Sequence, residues 1–245
     1  MTIRRAFVGV AMGAGLLVSA SEASADGPSR RSGLNGYSPT IDWSGFYVGI
    51  QGGYGWGNTS HFFTAGGGLD AGSWDISGGL AGMTLGTNWQ KGYWVYGFES
   101  DFSFSGISGS FGGNGCNPPV TVCYTDIRNL GTTRARLGYA VDNRLVYLTS
   151  GLAYGSVDAG INSPGRNEDK TRWGWALGAG LEWTFAPRWS LKAEYLHVDL
   201  GDRRHYDADG GSSDPGKVGV TAEIARVGVN YSFGPGFWSG MLGGR

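Results

Sequence analysis

The feature that most constrains this chain is an alternation of period two that recurs eight times between Trp43 and Phe233. Successive side chains of a strand point to opposite faces, so each such run marks a strand with two different surroundings. The clearest is "RWGWALGAGLEWTF". There Trp173, Trp175, Leu177, Ala179, Leu181, Trp183 and Phe185 alternate with Gly174, Ala176, Gly178, Gly180, Glu182 and Thr184. "GFYVGIQGGYGWGN" sets Phe46, Val48, Ile50, Tyr54 and Trp56 against Tyr47, Gly49, Gln51, Gly53 and Gly55. "TLGTNWQ", "WVYGFESDFSF", "LGTTRARLGY", "WSLKAEYLHV" and "IARVGVNYSF" follow the same rule. "RLVYLTSGLAYG" is apolar on both faces, and we read Val146, Leu148, Leu152 and Tyr154 as its outer set.

The connections alternate in length. "KGY", "VDN" and "APR" join strands two to three, four to five and six to seven. The other four, at 59–76, 105–127, 156–171 and 201–221, are long and read as loops. An even strand count with short turns on one rim and long loops on the other is the layout of an outer-membrane barrel. The fold class is therefore all-β, an eight-stranded antiparallel transmembrane β-barrel with long extracellular loops and short periplasmic turns. No apolar run after the N-terminus reaches the roughly 18 residues of a membrane helix, and a closed barrel is the other spanning structure.

The polarity of the faces supports this. The charged face also carries most of the strand glycines, which would weaken a strand exposed to water. An eight-stranded lumen is only just wide enough for side chains, so long polar residues there need small neighbours. The lumen set is Glu99, Asp101, Glu182 and Glu194 against Arg134, Arg136, Lys192 and Arg226. Buried charges need partners. Four acids facing four bases predict a packed internal network, with Glu99 level with Arg134 and Glu182 close to Lys192.

Aromatic residues cluster at two levels, as interfacial girdles require. Trp89, Trp94, Tyr96, Tyr139, Tyr147, Trp183, Phe185, Trp189, Tyr231 and Phe233 lie near the short turns. Tyr54, Trp56, Phe102, Phe104, Tyr154, Trp173, Trp175 and Tyr195 lie toward the long loops.

The ends divide the chain further. Arg4 and Arg5, the uncharged run Ala6–Ala20 and "ASA" at 23–25 form a secretory signal over 1–25, with cleavage expected between Ala25 and Asp26. Residues 26–42 are polar and aperiodic and read as a flexible periplasmic lead-in. The barrel occupies 43–233, and 234–245 is a C-terminal tail. Cys116 and Cys123, in an exported chain, are expected to form a small disulfide staple. With 19 basic and 20 acidic residues the chain lacks the basic excess of a nucleic-acid binder.

No cofactor or metal is expected. The glycine runs are not followed by a helical period, as a dinucleotide site requires. His61, His197 and His205 show no metal spacing, and "HYDADGGSSD" lacks the spacing of a calcium loop. His197, outward on strand seven beside Asp199, is the one candidate for lipid A chemistry, but no serine matches its height.

"WSGFYVGIQGGYGWG", "TTRARLGYA", "LTSGLAYG", "WALGAGLEWTFAPRWSLKAEYLHVDLG" and "ARVGVNYSF" resemble, in order, the strands of small outer-membrane surface antigens of Gram-negative bacteria. These are alphaproteobacterial porin-family barrels similar to the OmpA membrane domain. The resemblance implies roles in envelope integrity and surface exposure, and in some relatives binding of haem or host molecules. It implies outer-membrane lipid, lipopolysaccharide and the assembly machinery as partners, and a monomer. The expected function is a non-enzymatic outer-membrane barrel; a small diffusion channel and a lipid A-modifying enzyme are the alternatives. Family chains commonly end on the last strand's aromatic, whereas here "GPGFWSGMLGGR" follows Phe233.

Overall fold

Hydrogen bonding closes eight antiparallel strands on themselves in the computed structural model, with each strand paired to its sequence neighbours and β1 to β8. The strands are β1 (Gly45–Phe62), β2 (Asp70–Lys91), β3 (Trp94–Gly112), β4 (Val122–Val141), β5 (Arg144–Ile161), β6 (Asn167–Ala186), β7 (Trp189–His205) and β8 (Gly216–Gly234). The structure describes residues 41–62, 70–112, 122–161, 167–205 and 216–235. The expected signal, most of the lead-in and nearly all of the tail lie outside these residues.

The three short connections are two-residue turns: Gly92-Tyr93, Asp142-Asn143 and Pro187-Arg188. Gly92, Asp142 and Arg188 take positive φ of 61°, 52° and 69°. Such values let a chain reverse within two residues.

The strands are longer than the alternation implied. They run 17 to 22 residues, about twice the ~9–11 that cross a bilayer. All four stretches read as long loops are entered by strand from both sides, which narrows their bounds while the longer connections stay on the rim opposite the short turns. The reason lies in the side chains. Between the two aromatic levels apolar residues point out, and the inward face is polar or glycine except for an apolar set close to the short turns, Val95, Ala140, Leu145 and Tyr147. Above that level the chemistry of the faces exchanges. On β2, Trp74 and Ile76 are buried inside while Ser73, Asp75 and Ser77 are exposed outside. On β7 the inward series runs Ser190, Lys192, Glu194 and then Leu196, Val198, Leu200. The lower storey therefore has the polarity of a membrane barrel and the upper storey that of a barrel in water. The upper interior centres on an apolar cluster, including Trp74, Ile107, Ile127, Val157, Leu196, Leu200 and Ile224, and Arg172, Thr59 and Thr125 are also buried on these upper strands.

Candidate functional site: the lumen

Three layers fill the barrel interior. The middle layer contains all eight charged residues named above, each at most 5% exposed. Glu99 and Arg134 face each other across β3 and β4, and Arg134 Nη2 donates to Glu99 Oε1 at 2.7 Å. Arg134 Nη1 also donates to Glu194 Oε1 at 3.0 Å. Arg226 donates through Nε to Glu194 Oε2 at 2.7 Å, and through Nη1 to Asp101 Oδ1 at 3.0 Å. Arg136 Nη2 donates to Glu182 Oε2 at 2.9 Å. Every charge thus has an opposite partner within hydrogen-bond reach, as buried ions require.

Two tyrosines complete this layer. Tyr47 donates to Glu99 Oε2 at 2.7 Å, and Tyr147 donates to Glu194 Oε1 at 3.0 Å. The Arg136 guanidinium lies over both rings, 4.0 Å from the Tyr147 centroid and 5.6 Å from that of Tyr47. A delocalised cation over an aromatic face is favourable, more so away from water. Glycines make room for both rings. A Cβ on Gly86 would come within 2.4 Å of Tyr47, and one on Gly180 within 2.4 Å of Tyr147.

The periplasmic mouth holds the second layer. Trp43 packs into it against Val95, Ala140, Leu145 and Tyr147, with Ile41 alongside. Two hydrogen bonds fix its segment: Trp43 N–H donates to Gln90 Oε1 at 2.7 Å, and Gln90 N–H to Ser44 Oγ at 3.0 Å. A cavity of about 130 Å³ beside it is bordered by Tyr47, Asn88, Glu182 and Asn230. The third layer is the apolar cluster of the upper storey.

Some placements differ from expectation. Tyr147 does not join the lower girdle: it is 2% exposed and points inward, because β5 is apolar on both faces and its inner face carries the ring. Glu182 and Lys192 are cross-strand neighbours, yet Lys192 Nζ donates to Glu99 Oε1 at 3.0 Å instead. The Glu182 carboxylate is held by Arg136, by Ser190 Oγ at 2.6 Å and by Asn230 Nδ2 at 2.8 Å. His197 pairs with Glu223 on β8, its Nδ1 2.6 Å from Oε1, and not with Asp199. Cys116 and the Cys123 side chain lie outside the described residues, as do the side chains of His61 and His205. Trp43 and the upper apolar layer were missed by the sequence reading. A signal for the latter is present in Trp74-Asp75-Ile76-Ser77, an alternation in the opposite sense.

The model of the outer membrane protein β-barrel domain matches residues 9–233. A 31 kDa outer-membrane immunogenic protein of Brucella melitensis is 38% identical over 208 residues, covering 79% of this chain and 85% of its own. A 22 kDa outer membrane protein of Rhizobium leguminosarum bv. viciae is 34% identical over 200 residues, covering 80% of each. Among solved structures, neisserial surface protein A aligns over 78% of this chain and 98% of its own, at 15% identity and a TM-score of 0.40.

Proposed function

The chain belongs to the outer membrane protein β-barrel domain family and lies in the bacterial outer membrane, and from that premise we propose that it is a non-enzymatic envelope and surface protein. One observation carries this reading: the lumen is filled in three layers, with a tryptophan at the periplasmic mouth, a paired charge layer above it and an apolar core beyond. Among the described residues, an interior packed in this way supports a structural role over a conducting one.

Its partners on this reading are membrane lipid, with lipopolysaccharide around the outer half, and the assembly machinery that inserts it. The protein acts as a monomer. Contacts with haem or host molecules belong to the four extracellular connections. The diffusion-channel alternative is opposed by the filled lumen. The lipid A enzyme alternative lacks a nucleophile: His197 bonds to Glu223, which also accepts from the Tyr195 hydroxyl, and no serine joins them among the described residues.

Planar-bilayer recording on purified protein tests the reading. No stepwise conductance is expected. Regular open-channel steps would replace it with the diffusion channel.

A further inference from the structure

On the outside of the barrel, five side chains from β6, β7, β8 and β1 form one connected row. His197 Nδ1 lies 2.6 Å from Glu223 Oε1, and Tyr195 donates its hydroxyl to Glu223 Oε2 at 2.8 Å. The His197 ring is 5.2 Å from that of Trp175, and the Tyr195 ring 6.3 Å from that of Trp56. Register holds the row level, for Glu223 faces His197 on one side and Trp56 on the other. All five are accessible: the His197 and Glu223 side chains are 36% and 30% exposed, and the three aromatics over 40%.

The height of this row follows from the exchange of polarity. Just below it, Leu177 and Val227 face outward at 52% and 60% exposure, surfaces suited to acyl chains. Just above it, Asp199 and Thr221 face outward. The row therefore sits where hydrocarbon gives way to headgroups, on the rim of the long connections.

Its chemistry selects among headgroups. Within the row a phosphate finds no free cation, because the one group there able to carry positive charge, His197, is already paired with Glu223, so what the row itself can read is the uncharged, hydroxyl-bearing part of a headgroup. Among the described residues no three His, Cys, Asp or Glu side chains come together as a metal site. A neutral polyol suits the row. Its C–H faces would lie on the indole rings, and its hydroxyls would bond to the carboxylate and imidazole. We propose that this ledge binds the saccharide headgroup of an outer-leaflet glycolipid. The proposal deepens the reading above and rests on its placing lipopolysaccharide around the outer half of the barrel.

The test uses the full chain reconstituted in phosphatidylethanolamine nanodiscs containing rough lipopolysaccharide. Native mass spectrometry after transfer to detergent counts the lipopolysaccharide retained per barrel. Two double variants, His197→Ala/Glu223→Ala and Trp56→Leu/Trp175→Leu, are compared after heat-modifiable gel migration confirms folding. Retention by the wild type and a loss of about tenfold or more in both variants is the expected result. Competition with deacylated lipopolysaccharide oligosaccharide separates two sources of the same chemistry. Displacement extends recognition to free saccharide, and no displacement confines it to the lipid-borne sugar; either upholds the ledge. Folded variants that retain as much as the wild type would overturn it while leaving lipopolysaccharide as a general neighbour. Equal retention of cardiolipin, which has phosphate but no sugar, would also overturn it. A wild type that retains no lipopolysaccharide would remove that partner along with the ledge.

Discussion

Lys192 on β7 reaches Glu99 on β3 across the full width of the barrel, Nζ to Oε1 3.0 Å, although Glu182 is its cross-strand neighbour. In a ring of eight, β3 and β7 are diametrically opposed. The lumen is so narrow that the opposite wall is as accessible as the adjacent strand. Glu99 also receives Arg134, Arg136 and Tyr47, which makes it the hub of the layer.

Glu99→Gln should therefore cost more stability than Lys192→Met. Removing the hub carboxylate leaves several buried cations short of a partner, at about 3–5 kcal/mol. Removing Lys192 leaves Glu99 still held by two arginines. Urea midpoints in lipid vesicles, followed by tryptophan fluorescence, should fall in that order; equal midpoints would deny Glu99 its role as hub.

Gly180→Ala should destabilise by about 1–3 kcal/mol, because the new methyl would meet the Tyr147 ring at 2.4 Å. In a Tyr147→Leu background the same substitution should cost clearly less. The double-mutant cycle measures this, and strict additivity of the two changes would show that the ring is not what Gly180 accommodates.

The membrane level assigned by the exchange of polarity predicts a contrast between two outward positions. Leu148→Arg, in the lower storey, should cost about 2–4 kcal/mol, and Ser108→Arg, in the upper one, about 0–1 kcal/mol. Refolding equilibria in vesicles report both. Similar costs at the two sites would mean that the apolar band has been placed at the wrong height.

Trp43→Ala should lower stability by about 3–5 kcal/mol, as expected for emptying a packed tryptophan site, while leaving the barrel non-conducting. The charge layer above the periplasmic mouth is intact in that variant. Conductance appearing with Trp43→Ala alone would locate the whole seal at that residue.

How much was legible follows from where sequence and geometry are coupled. The lower storey could be read because lipid and lumen differ sharply, so each strand records the contrast residue by residue: Trp173 out, Gly174 in, and onward to Phe185. The upper storey was passed over because its alternation runs the other way and is interspersed with glycine and serine, as in the stretch around Trp74 and Ile76. On β5 both faces are apolar, so nothing in Tyr147 itself distinguished a girdle ring from a lumen ring.

The sequence by itself determined the strand count, the outward face of most lower-storey strands and which eight charged residues point into the lumen. Those depend on period two and on charge balance, which are local or additive properties. Only the tertiary structure decided that Lys192 bonds to Glu99 and not Glu182, that Tyr47 and Tyr147 enclose Arg136, and that Trp43 plugs the periplasmic mouth. Lys192 and Glu99 are 93 positions apart, and Arg136 and Tyr47 are 89 apart. These pairings exist because closing the sheet brings opposite walls within a side chain's length, a distance that no pattern along one strand encodes.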